Sequence, residues 1–104
     1  MSEREQIQEQ LEQYLSENEY FSAPYGVLTG LESVGKGKVR TIAFGVSRYL
    51  DATILIWSKN KISVRGQGGL SYKFEGTYSS AEQLIEHFNK ETNFQPQKES
   101  VDNV

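Results

Sequence analysis

The sequence has no cysteine, two prolines, one histidine and one tryptophan in 104 residues. Each scarcity removes a class of chemistry. Without cysteine there is no disulfide framework, no thiolate nucleophile and no cysteine-ligated zinc. One histidine and scattered carboxylates do not compose a metal centre, so no metal and no cofactor are expected. The longest apolar run, Ile54-Leu55-Ile56-Trp57, falls far short of the ~18 residues of a spanning helix, and no membrane contact is expected. No basic-then-apolar leader opens the chain, which points to a cytoplasmic location.

What is present describes one small domain with a thin core. The length is too short for two ordinary domains. Hydrophobic residues are only 37% of the chain, and six Tyr, five Phe and Trp57 partly compensate because each ring buries a large area.

Three segments follow one another. Ser2 to about Ser16 reads as a helix: Ser2 and Glu5 have capping-box spacing, and Ile7, Leu11, Tyr14 and Leu15 form one narrow apolar stripe. Such a stripe docks on a sheet or pairs with another helix. Glu17-Asn18-Glu19 closes the helix and Pro24 blocks its continuation. Residues 25–78 hold most of the β-branched and aromatic residues, and the pattern predicts strands near 25–32, 39–47, 52–58, 61–66 and 70–76. Gly35-Lys36-Gly37, Arg48-Tyr49-Leu50-Asp51, Lys59-Asn60 and Gly66-Gln67-Gly68-Gly69 are the connections, short enough for an antiparallel meander. Ser79 and Glu82 then have capping-box spacing, and Ala81, Leu84, Ile85 and Phe88 make a second helical stripe ending near Glu91. The expected fold is α+β: an N-terminal helix, a four- or five-stranded antiparallel meander and a C-terminal helix packed on the sheet. The domain is placed at 1–92, with a flexible, disordered polar tail at 93–104.

Patterning also assigns faces. Residues 52–58 are apolar on both sides, as in a central strand, whereas Leu70, Tyr72 and Phe74 alternate with Ser71, Lys73 and Glu75. At Lys59-Asn60 a two-residue type I′ turn requires positive φ at Lys59, while a three-residue loop over Ser58–Asn60 requires it only at Asn60. The longer loop is preferred. It pairs Ile56 with Ile62 and Ile54 with Val64, leaving Thr53, Leu55, Trp57, Lys61, Ser63 and Arg65 on the opposite face.

No motif supports catalysis. Gly30 to Lys36 matches the first seven positions of a phosphate-binding loop, but Gly37 replaces the metal-binding hydroxyl and a strand, not a helix, follows. Gly66–Gly69 reads as a turn, with a small-ligand loop as the weaker alternative. His87 has no nucleophile or acid at a suggestive spacing and reads as a surface residue near a helix C-terminus. The chain is therefore expected not to be an enzyme.

Charge is segregated instead. Residues 1–32 carry seven Glu and one Arg, residues 33–74 carry eight basic residues and one Asp, and residues 75–104 carry six acids and two Lys. A basic sheet region lies between acidic flanks, which the formal net charge of −3 conceals. Three readings compete: internal complementation of helix and sheet charges, a single-stranded nucleic-acid groove using basic residues with Trp57, Tyr49 and Tyr72, and steering of a charged protein partner or a second copy of the chain. The leading expectation is a non-enzymatic binding or regulatory module acting through protein–protein contact, self-association included. The alternative is a nucleic-acid-binding module. The candidate surface comprises Lys36, Lys38, Arg40, Arg48, Trp57, Lys59, Lys61, Arg65 and Lys73.

Overall fold

The computed structural model describes residues 2–21, 26–45, 52–66 and 69–93. Helix α1 spans Glu3–Glu17 and a 3-10 turn covers Glu19–Phe21. Strands follow at β1 Leu28–Val34, β2 Gly37–Phe44, β3 Ala52–Ser58 and β4 Lys61–Gly66. A 3-10 helix over Gly69–Phe74 precedes the short β5, Gly76–Tyr78, and α2 spans Ala81–Thr92. The sheet order is β1-β2-β3-β4-β5 with every neighbouring pair antiparallel, so the fold is the expected α+β meander. The Arg48–Asp51 connection, the Gln67-Gly68 centre of the glycine turn and residues 94–104 of the expected tail lie outside the described residues.

Both helices cover one face. Leu11, Tyr14 and Leu15 of α1 and Ala81, Leu84 and Phe88 of α2 join Ile42, Phe44, Ala52, Ile54, Ile56, Ile62 and Val64 in one buried cluster. The α1 stripe therefore docks on the sheet and also meets α2, where the rings of Tyr14 and Phe88 stack at 5.8 Å. Phe21, Phe44, Phe74 and Phe88 are fully buried. Phe21 makes edge contacts to the other three at centroid distances of 5.3, 5.5 and 5.0 Å. Burying each ring is worth about 1.5–3 kcal/mol, and each ring pair adds roughly 0.5–1.5 kcal/mol.

The ends of α1 and α2 near this cluster share a polar network. The Tyr14 hydroxyl donates to Asn89 Oδ1 at 2.6 Å, while Asn18 Nδ2 donates to the Tyr14 hydroxyl at 3.1 Å and to Thr92 Oγ1 at 3.2 Å. Asn18 Oδ1 accepts from the Tyr20 amide at 3.0 Å, so this buried side chain is satisfied at both its ends. Burial raises the Tyr14 hydroxyl above its ordinary pKa. α2 then ends at Thr92, one residue beyond the expected Glu91, and the left-handed φ of 58° at Asn93 closes it.

Three local expectations are corrected. Residues 69–74 form a 3-10 helix and not a strand, and pairing resumes only at β5. The apparent alternation is not a two-faced pattern, since Phe74 is buried while Tyr72 is 58% exposed. The last two carbonyls of the 3-10 helix find partners beyond it: Lys73 O accepts from His87 Nε2 at 3.0 Å, and Phe74 O accepts from the Tyr78 hydroxyl at 2.8 Å. Gly76 at φ +152° then turns the chain into β5. His87 is thus half-buried against Phe74 and Tyr78, and faces a carbonyl to which only a protonated Nε2 can donate.

The second correction concerns the β3–β4 hairpin. Ile56 does pair with Ile62 and Ile54 with Val64, but Ser58 pairs with Lys61 across a two-residue turn. A bulge at Trp57 supplies the extra residue, so Asn60 does not adopt positive φ. The third is the α2 cap. Ser80, not Ser79, is the cap: its backbone is extended and its hydroxyl accepts from the Gln83 amide. Gln83 Oε1 instead accepts from the Ser79 amide and hydroxyl. At α1 the expected box is complete: Ser2 Oγ accepts from the Glu5 amide at 3.1 Å and Glu5 Oε1 accepts from the Ser2 amide at 2.8 Å. Observed strand bounds move with the turns. β1 runs on to Val34 because Gly35, at φ +59°, makes the reversal with Lys36.

Phe21→Ala is expected to lower unfolding free energy by about 3–5 kcal/mol, a large part of what a domain of this size has. Asn18→Ala should cost about 1–3 kcal/mol by removing the bonds that Asn18 Nδ2 donates to Tyr14 and Thr92 and the acceptor of the Tyr20 amide. Urea titration followed by far-ultraviolet circular dichroism measures both; a Phe21→Ala midpoint equal to wild type would contradict the packing described.

Candidate binding surface

The strand register divides the basic residues between the two faces. Arg40 pairs with Ile56 in the row that faces the helices, and Leu55, Ser63 and Thr41 lie in a row facing away. Arg40 is consequently committed inside the fold. Its guanidinium reaches Glu5 Oε2 at 3.1 Å and donates to Gln8 Oε1 at 3.2 Å. Gln8 in turn donates to Gly30 O at 3.1 Å and Thr41 O at 3.0 Å, clamping α1 across the seam between β1 and β2. Arg4 adds a bond to Lys38 O at 2.7 Å, a carbonyl beyond the last β2–β3 pair.

Lys59, in the β3–β4 turn, lies 3.7 Å from Glu3 with both side chains largely exposed, an ion pair of little energetic weight. Lys73 Nζ donates to the Tyr20 hydroxyl at 3.3 Å and lies over the Tyr20 and Phe74 rings at 5.5 and 5.9 Å, on the helix side of the molecule. Lys36 occupies the β1–β2 turn and Lys38 the start of β2, both exposed. Arg48 is outside the described residues.

Trp57 and Lys61 do come together, and Arg65 shares their face, the one away from the helices. The Trp57 indole N–H donates to Ser63 Oγ at 2.9 Å, and Lys61 Nζ lies 5.1 Å from the ring centroid. Arg65 approaches Glu32 of β1 at 3.9 Å. The register places Thr41 and Leu55 between those two side chains, so the pair roofs the central strands. This helix-free face therefore has a small apolar floor. Val39 and Leu55 are 1% and 4% exposed, yet neither belongs to the main core cluster. Around them stand half-buried Thr41, Ala43, Thr53, Trp57 and Ser63.

The surface ends at β1. All seven β1 residues are exposed, including Leu28 at 55%, Leu31 at 54% and Val34 at 39%. Charge counting does not find this feature, since β1 carries Glu32 alone; the apolar-rich stretch Leu28-Thr29-Gly30-Leu31-Glu32-Ser33-Val34 without Lys or Pro was the available signal. Charge counting misses Gln8 as well, although Gln8, Leu11 and Leu15 share one helical face, and the capping-box spacing gives Glu5 no role towards Arg40. Among the described residues, no three His, Asp or Glu side chains gather as a metal site, and no helix is long and apolar enough to cross a membrane.

The Glu5 carboxyl is held below its ordinary pKa by the Ser2 amide and by the Arg40 charge. A lowered folded pKa gives stability that is fully present above the ordinary value of about 4.3 and is lost as pH falls through the folded value. Glu5→Gln keeps the capping-box geometry and removes only the charge. Wild type should exceed Glu5→Gln in urea midpoint by a constant margin above about pH 5, and the margin should close as pH falls below about 4. A margin independent of pH would show that the Arg40 pairing contributes nothing. No protein-family model, curated protein or solved structure matches this chain.

Proposed function

We propose that this protein is a small non-enzymatic binding module that works by protein–protein contact through the helix-free side of its sheet and the β1 edge. The observation that carries this reading is β1: a fully exposed edge strand with three exposed aliphatic side chains. Edges of this type are usually guarded by Lys, Pro or a bulge, because their open amides and carbonyls recruit other strands. Three of the basic residues support the same reading by being engaged already. Arg40, Lys59 and Arg65 pair with Glu5, Glu3 and Glu32. These three pairs attach α1 to the sheet and roof Leu55.

Nucleic-acid binding is the second reading. It rests on Lys61, Trp57 and Arg65 sharing one face, the residue types that stack bases and neutralise phosphates.

The two readings separate in a pair of experiments. Titration with single-stranded oligonucleotides at low salt is expected to leave Trp57 fluorescence unchanged; saturable quenching that weakens steeply with salt would favour nucleic acid instead. Immobilised wild-type chain should retain polypeptide, either its own copies or a partner from the native host. Immobilised Leu31→Lys, folded by circular dichroism, should lose it. Equal retention by both would remove β1 from the contact surface.

A further inference from the structure

We infer that the β1 edge pairs with the β1 edge of a second copy of this chain, antiparallel and centred on Leu31, joining two five-stranded sheets into one. This rests on the protein-contact reading above and names its partner.

Backbone direction is fixed by Gln8. Its single amide nitrogen donates to Gly30 O and Thr41 O at 3.1 and 3.0 Å, and these residues are register partners. Both carbonyls therefore turn into the β1–β2 seam, which makes Gly30 and Thr41 a hydrogen-bonded pair. By alternation, Leu28, Glu32 and Val34 also bond β2, and Thr29, Leu31 and Ser33 direct their N–H and C=O groups to the open edge.

The strand is complementary to itself when reversed. With Leu31 on a two-fold axis, Leu28 meets Val34, Thr29 meets Ser33, Gly30 meets Glu32 and Leu31 meets Leu31 of the other copy. Every outward-facing residue opposes an outward-facing residue, giving about six backbone hydrogen bonds at two per bonded pair. A one-residue slip would oppose bonded and non-bonded positions and lose them. Charge agrees with this register. Glu32, the only ionisable residue of β1, lies opposite glycine, not opposite the second Glu32, and its own Arg65 is 3.9 Å away. The apolar pairs cover the three exposed aliphatic side chains, Leu31 on the helix side and Leu28 with Val34 on the other.

Geometry permits the helices. α1 packs on β2 and β3, and in the joined sheet β2 lies three strand spacings, about 14 Å, from its mate. Packed helices need only about 8–10 Å between axes. The opposite edge does not compete: β5 has three residues and α2 packs against it. A two-fold contact also closes, so it yields a dimer and not a filament.

The absence of cysteine makes the test clean. Sedimentation equilibrium of wild-type protein should give a concentration-dependent mass rising from 11.8 kDa towards twice that value. Leu31→Lys, which sets two ammonium groups against each other on the axis, should weaken the dimer at least about tenfold. Register is read by single-thiol variants under mild oxidation. Leu31→Cys should crosslink to itself, and Thr29→Cys should crosslink to Ser33→Cys but not to itself, the bonded pairs lying within disulfide reach at about 5.5 Å between Cα atoms. A strict monomer at all concentrations would overturn the self-pairing. So would a dimer that Leu31→Lys leaves unaltered. Loss of a foreign polypeptide on Leu31→Lys, with the wild type monomeric, would overturn self-pairing while leaving the protein-contact reading standing.

Discussion

Everything in this fold leans on the edge-to-face packing around Phe21. That ring sits at the end of the 3-10 turn after α1 and touches Phe44 of β2, Phe74 of the second 3-10 helix and Phe88 of α2. It therefore closes contacts between segments that are distant in the chain. The remaining aliphatic core, Ile42, Ile54, Ile56 and Ile62, supplies a flat floor under α1 and α2. Four phenylalanines offset a hydrophobic content of only 37%, since aromatic burial per residue is large. The Tyr14–Asn18–Asn89–Thr92 network sits beside this cluster and limits how α1 and α2 can be arranged relative to each other. A ring cluster alone tolerates sliding, whereas directed hydrogen bonds from a buried Asn do not.

Local physics made much of this architecture legible. The α1 capping box, both helical stripes, the two-sided apolarity of β3 and the register of β3 against β4 are all set by residues close in sequence. Structure and pattern part where groups outside the segment decide the outcome. Residues 69–74 themselves do not announce that His87 and Tyr78 take up the carbonyls of Lys73 and Phe74, so the alternating pattern predicts a strand where a 3-10 helix forms. The hairpin was similar: its register follows from matching Ile54 and Ile56 with Val64 and Ile62, but the spare residue was absorbed at Trp57, where a hydrogen bond to Ser63 holds the indole.

The surface was less legible than the fold. Blocks of charge in a sequence do not say which face a residue takes, and period-two alternation sends Arg40 to the helix side while Arg65 goes to the other. Once there, Arg40 is anchored by Glu5 and Gln8. Part of the contrast between basic sheet and acidic flank, the Arg40–Glu5 pair, fastens α1. The feature with most bearing on recognition, the open β1 edge, is an absence of guarding residues, and absences are harder to read than motifs.

The Asn18 network has an electrostatic corollary. It joins the C-terminal ends of both helices, and the other ends also meet: Glu3 and Ile7 of α1 line one surface hollow with Ser80, Ala81 and Glu82. The helices therefore run side by side in the same direction, and their macrodipoles add where antiparallel neighbours would cancel. The positive poles gather at the end that carries Glu3, Glu5 and Glu82 in the first turns. At the opposite, negative pole, Asn18 and Thr92 donate to the helix-end carbonyls of Tyr14 and Phe88. Glu3, Glu5 and Glu82 are thus placed where two helices together favour negative charge.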